Sequence, residues 1–224
     1  GSWQRLNNNL PTVAVHDLLI HPRDGDLIAG THGRGLWVMD DISPLQQLTA
    51  EVQKAPAHLF QSPVATQWLT IQPQHNGGEI AFIGQNPSRN ARISYHLGTA
   101  VSSEVRLEVS DITGQNTCSA SFPARAGINR VEWAMRWNPP AGGPAAQPAR
   151  GGGGRGGRGG APAACLIAGN QPAPQGRGGG GGGRGGGGGG LVEPGTYKVT
   201  LTAGGQTYVS AITVRRDPML DEMR

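Results

Sequence analysis

The sequence predicts an all-β fold made of two β modules, which a short helix joins and a glycine-rich insert interrupts. Short runs rich in β-branched residues are separated by Gly, Pro and Asp turn signals in Val13–Asp41, a pattern typical of strands. Apolar and polar residues alternate in Val105–Val109 and Glu193–Leu201, as they do in strands buried on one face. One low-complexity segment holds 24 of the 38 glycines, and the remaining sequence has few charges and few helix formers.

The first module, Val13–Asp41, contains three apolar runs at 13–20, 27–29 and 36–39. Glycine tolerates the positive φ that a tight reversal needs, and the module has glycines between each pair of runs. Gly25, Gly33 and Gly35 are therefore predicted to be structural turn residues. A three-stranded antiparallel meander of this size is too small to bury a core alone, so it is expected to pack on further sheets.

This module resembles the last blade of a bacterial BNR/Asp-box β-propeller of the sortilin-like type, often labelled "glycosyl hydrolase". The resemblance rests on Gly1-Ser2-Trp3, Leu10-Pro11 and VHDLLIHPRDGDLIAGTHGRGLWVMDD, which fit the family patterns v-x-D-l-x-x-x-P, d-l-x-a-g-T and G-l-w-v-x-D. It is specific over Trp3–Leu48. The intact Asp-box, Ser-x-Asp-x-Gly-x-x-Trp, is absent, and Gly1-Ser2-Trp3 matches only its tail.

The resemblance implies that residues 1–41 supply terminal blade strands, with 3–6 as the outer strand of the preceding blade. It also implies that the chain is a C-terminal fragment, that its first partners are the missing upstream blades of the same protein, and that the protein is secreted, periplasmic or on the cell surface. No apolar run approaches the length of a membrane-spanning helix.

In residues 42–60 the spacing of the apolar residues changes to that of a helix. Ser43 followed by Pro44 suits an N-cap and the first helical position. Apolar residues then recur at Leu45, Leu48 and Val52 on one helical face, and Pro56 would end the helix. One short bracing helix and a linker are predicted here. The preceding Asp40-Asp41 pair would favour the helix N-terminus electrostatically.

The second module is predicted to occupy residues 61–138 and 193–216, and residues 217–224 form a tail. Its strands include 80–83, 92–97, 118–122, 127–133 and 207–214, besides the two alternating runs already named. The patterns v-x-l-x-i-x-d-x-x-G and a-G-x-n-x-v-x-W resemble the immunoglobulin-like module of the flagellar hook-capping protein and of bacterial C-terminal sorting tails. About seven short strands separated by turns also suit a β-sandwich of this class.

The insert, residues 139–192, has almost no apolar side chains, so it is predicted to be a disordered Gly/Arg/Pro-rich loop. A sandwich tolerates such a loop because closure entropy grows only logarithmically with length. The insert carries five arginines and no acidic residue, which accounts for the whole net charge of +4. Cys118 and Cys165 have no metal-binding spacing, and their pairing is left open.

The first candidate site is the turn that contains Thr31, His32 and Arg34. In the propeller resemblance this turn lies on the face where propellers usually bind, and its cations would meet an acidic or hydroxylated ligand. The competing interpretation is structural: Gly33 and Gly35 serve a tight turn, and Arg34 pairs with a nearby carboxylate.

Other polar clusters do not assemble a reaction centre. Alternation directs His16 and Asp17 to opposite faces of one strand, away from a common site with His21. Asp40 and Asp41 are adjacent, whereas glycoside hydrolysis needs two facing carboxyl groups. The sequence therefore predicts no catalytic residue, no metal ligand and no cofactor.

The predicted role is non-catalytic: the chain closes a propeller and supports carbohydrate or protein binding, or surface attachment. One alternative is that a glycoside hydrolase or sialidase site lies upstream in the full protein. Another is polyanion or RNA binding through the arginine-glycine repeats at 150–160 and 177–185. These repeats lack the aromatic residues that stack on bases, so nucleic acid is not the expected partner.

Overall fold

The computed structural model describes residue 6 and residues 9–68, 88–98, 103–137, 165–169 and 191–219. Strands make up 51% and helices 7% of the described residues, which confirms the predicted all-β class. The chain divides into two compact units, Gly1–Glu51 and Val52–Arg224. The strand predicted at 80–83, the strand at 3–6 except Leu6, and the arginine-glycine repeats lie outside the described residues.

The first unit contains a three-stranded antiparallel sheet, which we call the meander. Its strands are β1 (Val15–Ile20), β2 (Leu27–Thr31) and β3 (Leu36–Met39), in that order across the sheet. The three predicted apolar runs therefore form the three strands. The register shifts in β1 between Val15 and Asp17, where a β-bulge interrupts the pairing with β2.

The turns of the meander use glycines in the left-handed region. Gly25 has φ +67°, and its N–H donates to the carbonyl of His21 at 2.9 Å. Gly33 and Gly35 have φ +70° and +74°. A side chain at such a φ is strained, so each of these positions has a backbone reason to be glycine.

Two short helices follow, α1 (Ser43–Gln46) and α2 (Ala50–Lys54). The prediction of one helix in 42–60 is wrong in this respect, since the chain leaves the helical path at 47–49 before Ala50. β-Branched Thr49 is a poor helix residue at this break. Ile42, not Ser43, is the N-cap, while Asp41 Oδ1 accepts the N–H of Ser43 at 3.2 Å.

The second unit contains two sheets, and we call it the two-sheet module. Its strands are β4 (Ala57–Leu59), β5 (Ala65–Gln67), β6 (Ala91–Leu97), β7 (Val105–Ser110), β8 (Thr117–Phe122), β9 (Gly127–Trp133), β10 (Ile167–Gly169), β11 (Gly195–Ala203) and β12 (Gln206–Arg216). The four-stranded sheet has the order β10-β9-β6-β4, and the five-stranded sheet has the order β5-β12-β11-β7-β8. All neighbours are antiparallel except β5 and β12, which are parallel.

One hydrophobic core cluster draws on both sheets of the module. Alternate residues point inward, as the period of two requires, and the fully enclosed ones include Ile93, Leu107, Trp133 and Leu201 at 0% exposure. The module begins with β4, inside the segment that was predicted to be helix and linker. The resemblance to an immunoglobulin-like module remains a prediction, because the sheet order alone does not test it.

Part of the insert joins this module, contrary to the prediction that it is disordered throughout. Residues 167–169 form β10, which pairs with β9, and the side chain of Ile167 is buried. Ile167 belongs to the short apolar stretch Cys165–Ile167, and its side chain has apolar surface to bury. None of the described helices is long and apolar enough to cross a membrane.

Candidate functional site

The turn between β2 and β3 was predicted to be a binding site, but several of its polar groups form hydrogen bonds within the turn. Thr31 Oγ1 donates to the carbonyl of Gly35 at 2.6 Å, and the Thr31 N–H donates to the same carbonyl at 3.2 Å. Trp37 Nε1 donates to the carbonyl of Arg34 at 3.2 Å. Thr31 therefore closes the turn, while His32 and Arg34 stay exposed.

His32 stacks on His16, with ring centroids 5.1 Å apart and an angle of 28° between the planes. Sequence reasoning did not join these histidines, because it assumed an uninterrupted alternation along β1. The bulge beside His16 breaks that alternation. The predicted ion pair of Arg34 is not seen among the described residues. The turn and the neighbouring end of β1 thus present two exposed imidazoles and one exposed guanidinium.

The remaining acidic and histidine side chains of the meander make local contacts. Asp17 Oδ1 accepts the N–H of Leu18 at 2.8 Å. His21 Nδ1 lies 3.2 Å from Asp24 Oδ2. Asp41 is buried and has φ +51°, while its neighbour Asp40 is exposed, so the two do not form a facing carboxylate pair. No group of three His, Cys, Asp or Glu in the described ranges could hold a metal ion.

A concave site lies instead in the two-sheet module, and we call it the β8–β9 groove. It has a volume of about 490 Å³, within the range of roughly 300–1,000 Å³ that is usual for small-molecule sites. Its described walls come from β6, the end of β8, the loop into β9, the first part of β9 and the end of β10. They are Tyr95, Phe122, Pro123, Arg125, Ala126, Ile128, Asn129, Arg130, Val131 and Gly169.

The polar groups of the groove come from three of these walls. Tyr95 is 2% exposed, and burial raises the pKa of its phenol, an effect that the positive charge of Arg125 partly offsets. Asn129 Nδ2 donates to the carbonyls of Arg125 at 2.7 Å and of Gly127 at 3.0 Å. These two bonds hold the loop that carries Arg125 against the start of β9.

A disulfide between Cys118 and Cys165 fixes the wall that β10 provides. Cys118 lies in β8 of the five-stranded sheet, and Cys165 lies two residues before β10 of the four-stranded sheet, so the bond joins the two sheets at one side. Beyond it, Gly169 packs closely on Phe122: a Cβ at Gly169 would lie 3.1 Å from Phe122 Cδ1. The sequence left this pairing open, and the structure forms it.

Sequence reasoning missed the β8–β9 groove because its residues carry no motif. In the sequence, Tyr95 has the pattern of an ordinary core residue in a strand, and Arg125 that of a solvated charge in a loop between strands. One sequence feature could have pointed to this site. Asn129, four residues after Arg125, is a polar residue in a strand whose apolar and polar residues otherwise alternate. Only the fold brings β6 next to β9 and so places Tyr95 beside this loop.

The described residues define an all-β protein with an open groove beside a disulfide that links two sheets. A scan against protein-family models, a search of curated proteins and a search of solved structures each found no match. The resemblances to an Asp-box propeller and to an immunoglobulin-like module therefore remain predictions.

Proposed function

We propose that this chain is a non-catalytic region of an exported β-rich protein, in which the meander packs between further sheets of the same protein. The two-sheet module then supports binding or surface attachment. The observation that carries the proposal is the exposure of large apolar side chains on the meander. All six residues of β1 are exposed, and Leu36 of β3 is 74% exposed.

The apolar side chains of the meander lie on both faces of its sheet. Directly paired residues of antiparallel strands share a face, so Leu18, Ala29 and Trp37 lie on one side and Leu19, Ile28 and Val38 on the other. Leu18 and Leu19 are 60% and 58% exposed. A sheet with one solvated face carries polar residues there, whereas a propeller blade has a neighbouring sheet on each side. The pattern supports the second arrangement.

The disulfide supports export. Disulfides persist in secreted, periplasmic and cell-surface proteins, whereas the cytosol keeps most thiols reduced. A bond between Cys118 and Cys165 is therefore consistent with the predicted extracytoplasmic location. A carbohydrate or a protein would be the ligand of such a region.

Amide hydrogen exchange on the intact chain tests the role of the meander. We expect amides of β1–β3 to exchange far faster than those of β7, because local opening costs little where few apolar contacts form. Extending the reading frame upstream of residue 1 and expressing the longer protein should then slow exchange in β1–β3 and leave β7 unchanged. Protection in β1–β3 equal to that of β7, in a monomer of the present chain, would contradict the proposal.

A further inference from the structure

We propose that the β8–β9 groove binds a small organic carboxylate, which the guanidinium of Arg125 pairs with and the hydroxyl of Tyr95 donates to. This inference goes beyond the proposed role of the meander, since every residue it uses belongs to the two-sheet module. The result of its test does not depend on whether the proposed role of the meander is right.

The first argument is the state of the Tyr95 hydroxyl. Tyr95 lines the groove although the residue as a whole is only 2% exposed. Its hydroxyl has no hydrogen-bond partner among the residues that the structure describes. Buried tyrosines usually find such a partner, and this hydroxyl oxygen is not one of the enclosed polar atoms that lack one, so it is accessible from the groove. The groove is the space through which a ligand would supply that partner.

The second argument is the charge of the groove wall. Arg125 is exposed, and its guanidinium makes no ion pair or hydrogen bond with a described residue. None of the described residues that line the groove is acidic. Burial raises the pKa of the Tyr95 phenol, so this hydroxyl keeps its proton at neutral pH and acts as a donor. A phenol donor and a guanidinium in one cavity favour an anion, and a guanidinium matches the planar fork of a carboxylate.

The third argument is the shape and apolar character of the remaining wall. Phe122, Pro123 and Ile128 provide apolar surface beside the two polar groups. A ligand with a carbon body and one carboxylate contacts this apolar surface and the two polar groups together, whereas an inorganic anion uses only the polar groups. A sugar acid and an acidic amino-acid residue share this chemistry.

The loop that presents Arg125 is held in place before any ligand binds. Asn129 anchors the carbonyl of Arg125 at 2.7 Å. Gly169, on another wall, is the last residue of β10, the strand that the disulfide attaches to β8. A preorganised site loses less conformational entropy on binding. The disulfide should therefore contribute to affinity as well as to stability.

A nuclear magnetic resonance titration of the ¹⁵N-labelled intact chain tests the proposal. The probes are D-galacturonate with its neutral counterpart D-galactose, and N-acetyl-aspartate amide with N-acetyl-asparagine amide. We expect at least one acid to shift amide resonances of 122–131 and 169, and its neutral counterpart to bind at least about tenfold more weakly. The acid that binds better identifies the source as a sugar or a peptide. Equal shifts from acid and neutral probes, or none from either acid, would overturn the proposal.

Two variants and one control locate the interaction. Arg125→Gln should weaken binding of the acid about tenfold or more, and Tyr95→Phe by about three- to tenfold. Tyr95→Phe keeps the ring and removes a hydroxyl that has no described partner, so the module should remain folded. Arg216→Gln changes another exposed arginine of the same module, one that lies outside the groove and 3.8 Å from Glu193. If the Arg125→Gln and Arg216→Gln variants bound the acid with equal affinity, Arg125 would not be part of the binding site.

Discussion

The meander and the two-sheet module have similar strand-forming sequences, but their apolar side chains end in opposite environments. Leu36 in β3 is 74% exposed, while Leu201 in β11 is fully buried. Both residues lie in antiparallel strands with ordinary pairing. Strand formation therefore follows from the local pattern, whereas burial requires a second layer of secondary structure.

The two regions also differ in the faces that carry apolar residues. In β7 the inward residues Val105, Leu107 and Val109 are fully buried, and the intervening Arg106 and Glu108 are polar. In β1 the neighbours Leu18, Leu19 and Ile20 are all apolar and all exposed. In the module, each of these strands thus has one apolar, buried face, while β1 has exposed apolar residues on both faces of its sheet.

The largest predicted effect is a loss of stability, and a matched pair of substitutions compares it between the two regions. Leu201→Ala should lower the free energy of unfolding of the module by about 2–5 kcal/mol, since it removes buried methyl groups and leaves a cavity. Leu36→Ala should change the stability of the meander by less than about 0.5 kcal/mol. Urea titrations followed through resolved resonances of each unit would measure both. A large loss in Leu36→Ala would mean that the meander already buries this side chain in solution.

The next effect concerns the disulfide, which only the module contains. Removing the bond across a separation of 47 residues should destabilise the module by about 4 kcal/mol, since the unfolded chain regains the entropy of an open loop. Reductant should therefore lower the urea midpoint of the module and leave the meander unchanged. The double variant Cys118→Ala/Cys165→Ala is the control, because its midpoint should no longer respond to reductant. An unchanged wild-type midpoint under reduction would contradict this account.

Much of the fold could be predicted from the sequence where the strands are long or where Gly, Pro or Asp residues indicate a turn. The strands that alternate over several residues, such as β7, β9 and β11, lie where they were predicted. The shortest strands escaped prediction. β4, β5 and β10 have three residues each, too few to show a period, and pairing with longer neighbours determines their conformation.

The candidate sites were harder to predict, because they depend on contacts between distant residues. The alternation rule missed the stacking of His16 on His32, because the bulge at His16 interrupts the alternation along β1. The pairing of Cys118 with Cys165 required the position of β10 beside β9. Tyr95 and Arg125 meet in one groove only because β6 pairs with β9, a partnership that no local pattern encodes.

A smaller effect tests a requirement that the two regions share, namely glycine at a left-handed turn. Gly33 in the meander and Gly114 in the module have φ +70° and +71°. Gly114→Ala should destabilise the module by about 1 kcal/mol, because a Cβ strains this conformation. Gly195→Ala is the matched control in the module: Gly195 has no positive φ, and its added Cβ would contact nothing within 4 Å. Equal thermal midpoints for the two variants would show that the turn tolerates a side chain.

The smallest predicted effect is a pH dependence that belongs to the module. His58 in β4 lies directly opposite His96 in β6, and its ring contacts Phe60 with centroids 5.0 Å apart. Burial lowers the pKa of His58 below the ordinary histidine value of 6.5, and the neighbouring His96 lowers it further. The unfolded chain therefore binds a proton at this residue more readily than the folded chain does.

The sign of the effect follows from this difference in proton binding. The contribution of His58 to stability should be fully present well above pH 6.5 and should fall as the pH drops below 6.5 toward the lower pKa of folded His58. His58→Gln should remove that part of the pH dependence from urea titrations of the module. His32→Gln, which changes a histidine of the other unit, should leave it in place. A module that becomes more stable between neutral pH and pH 6 would mean that protonated His58 has a favourable partner, and the packing beside β4 would then need another explanation.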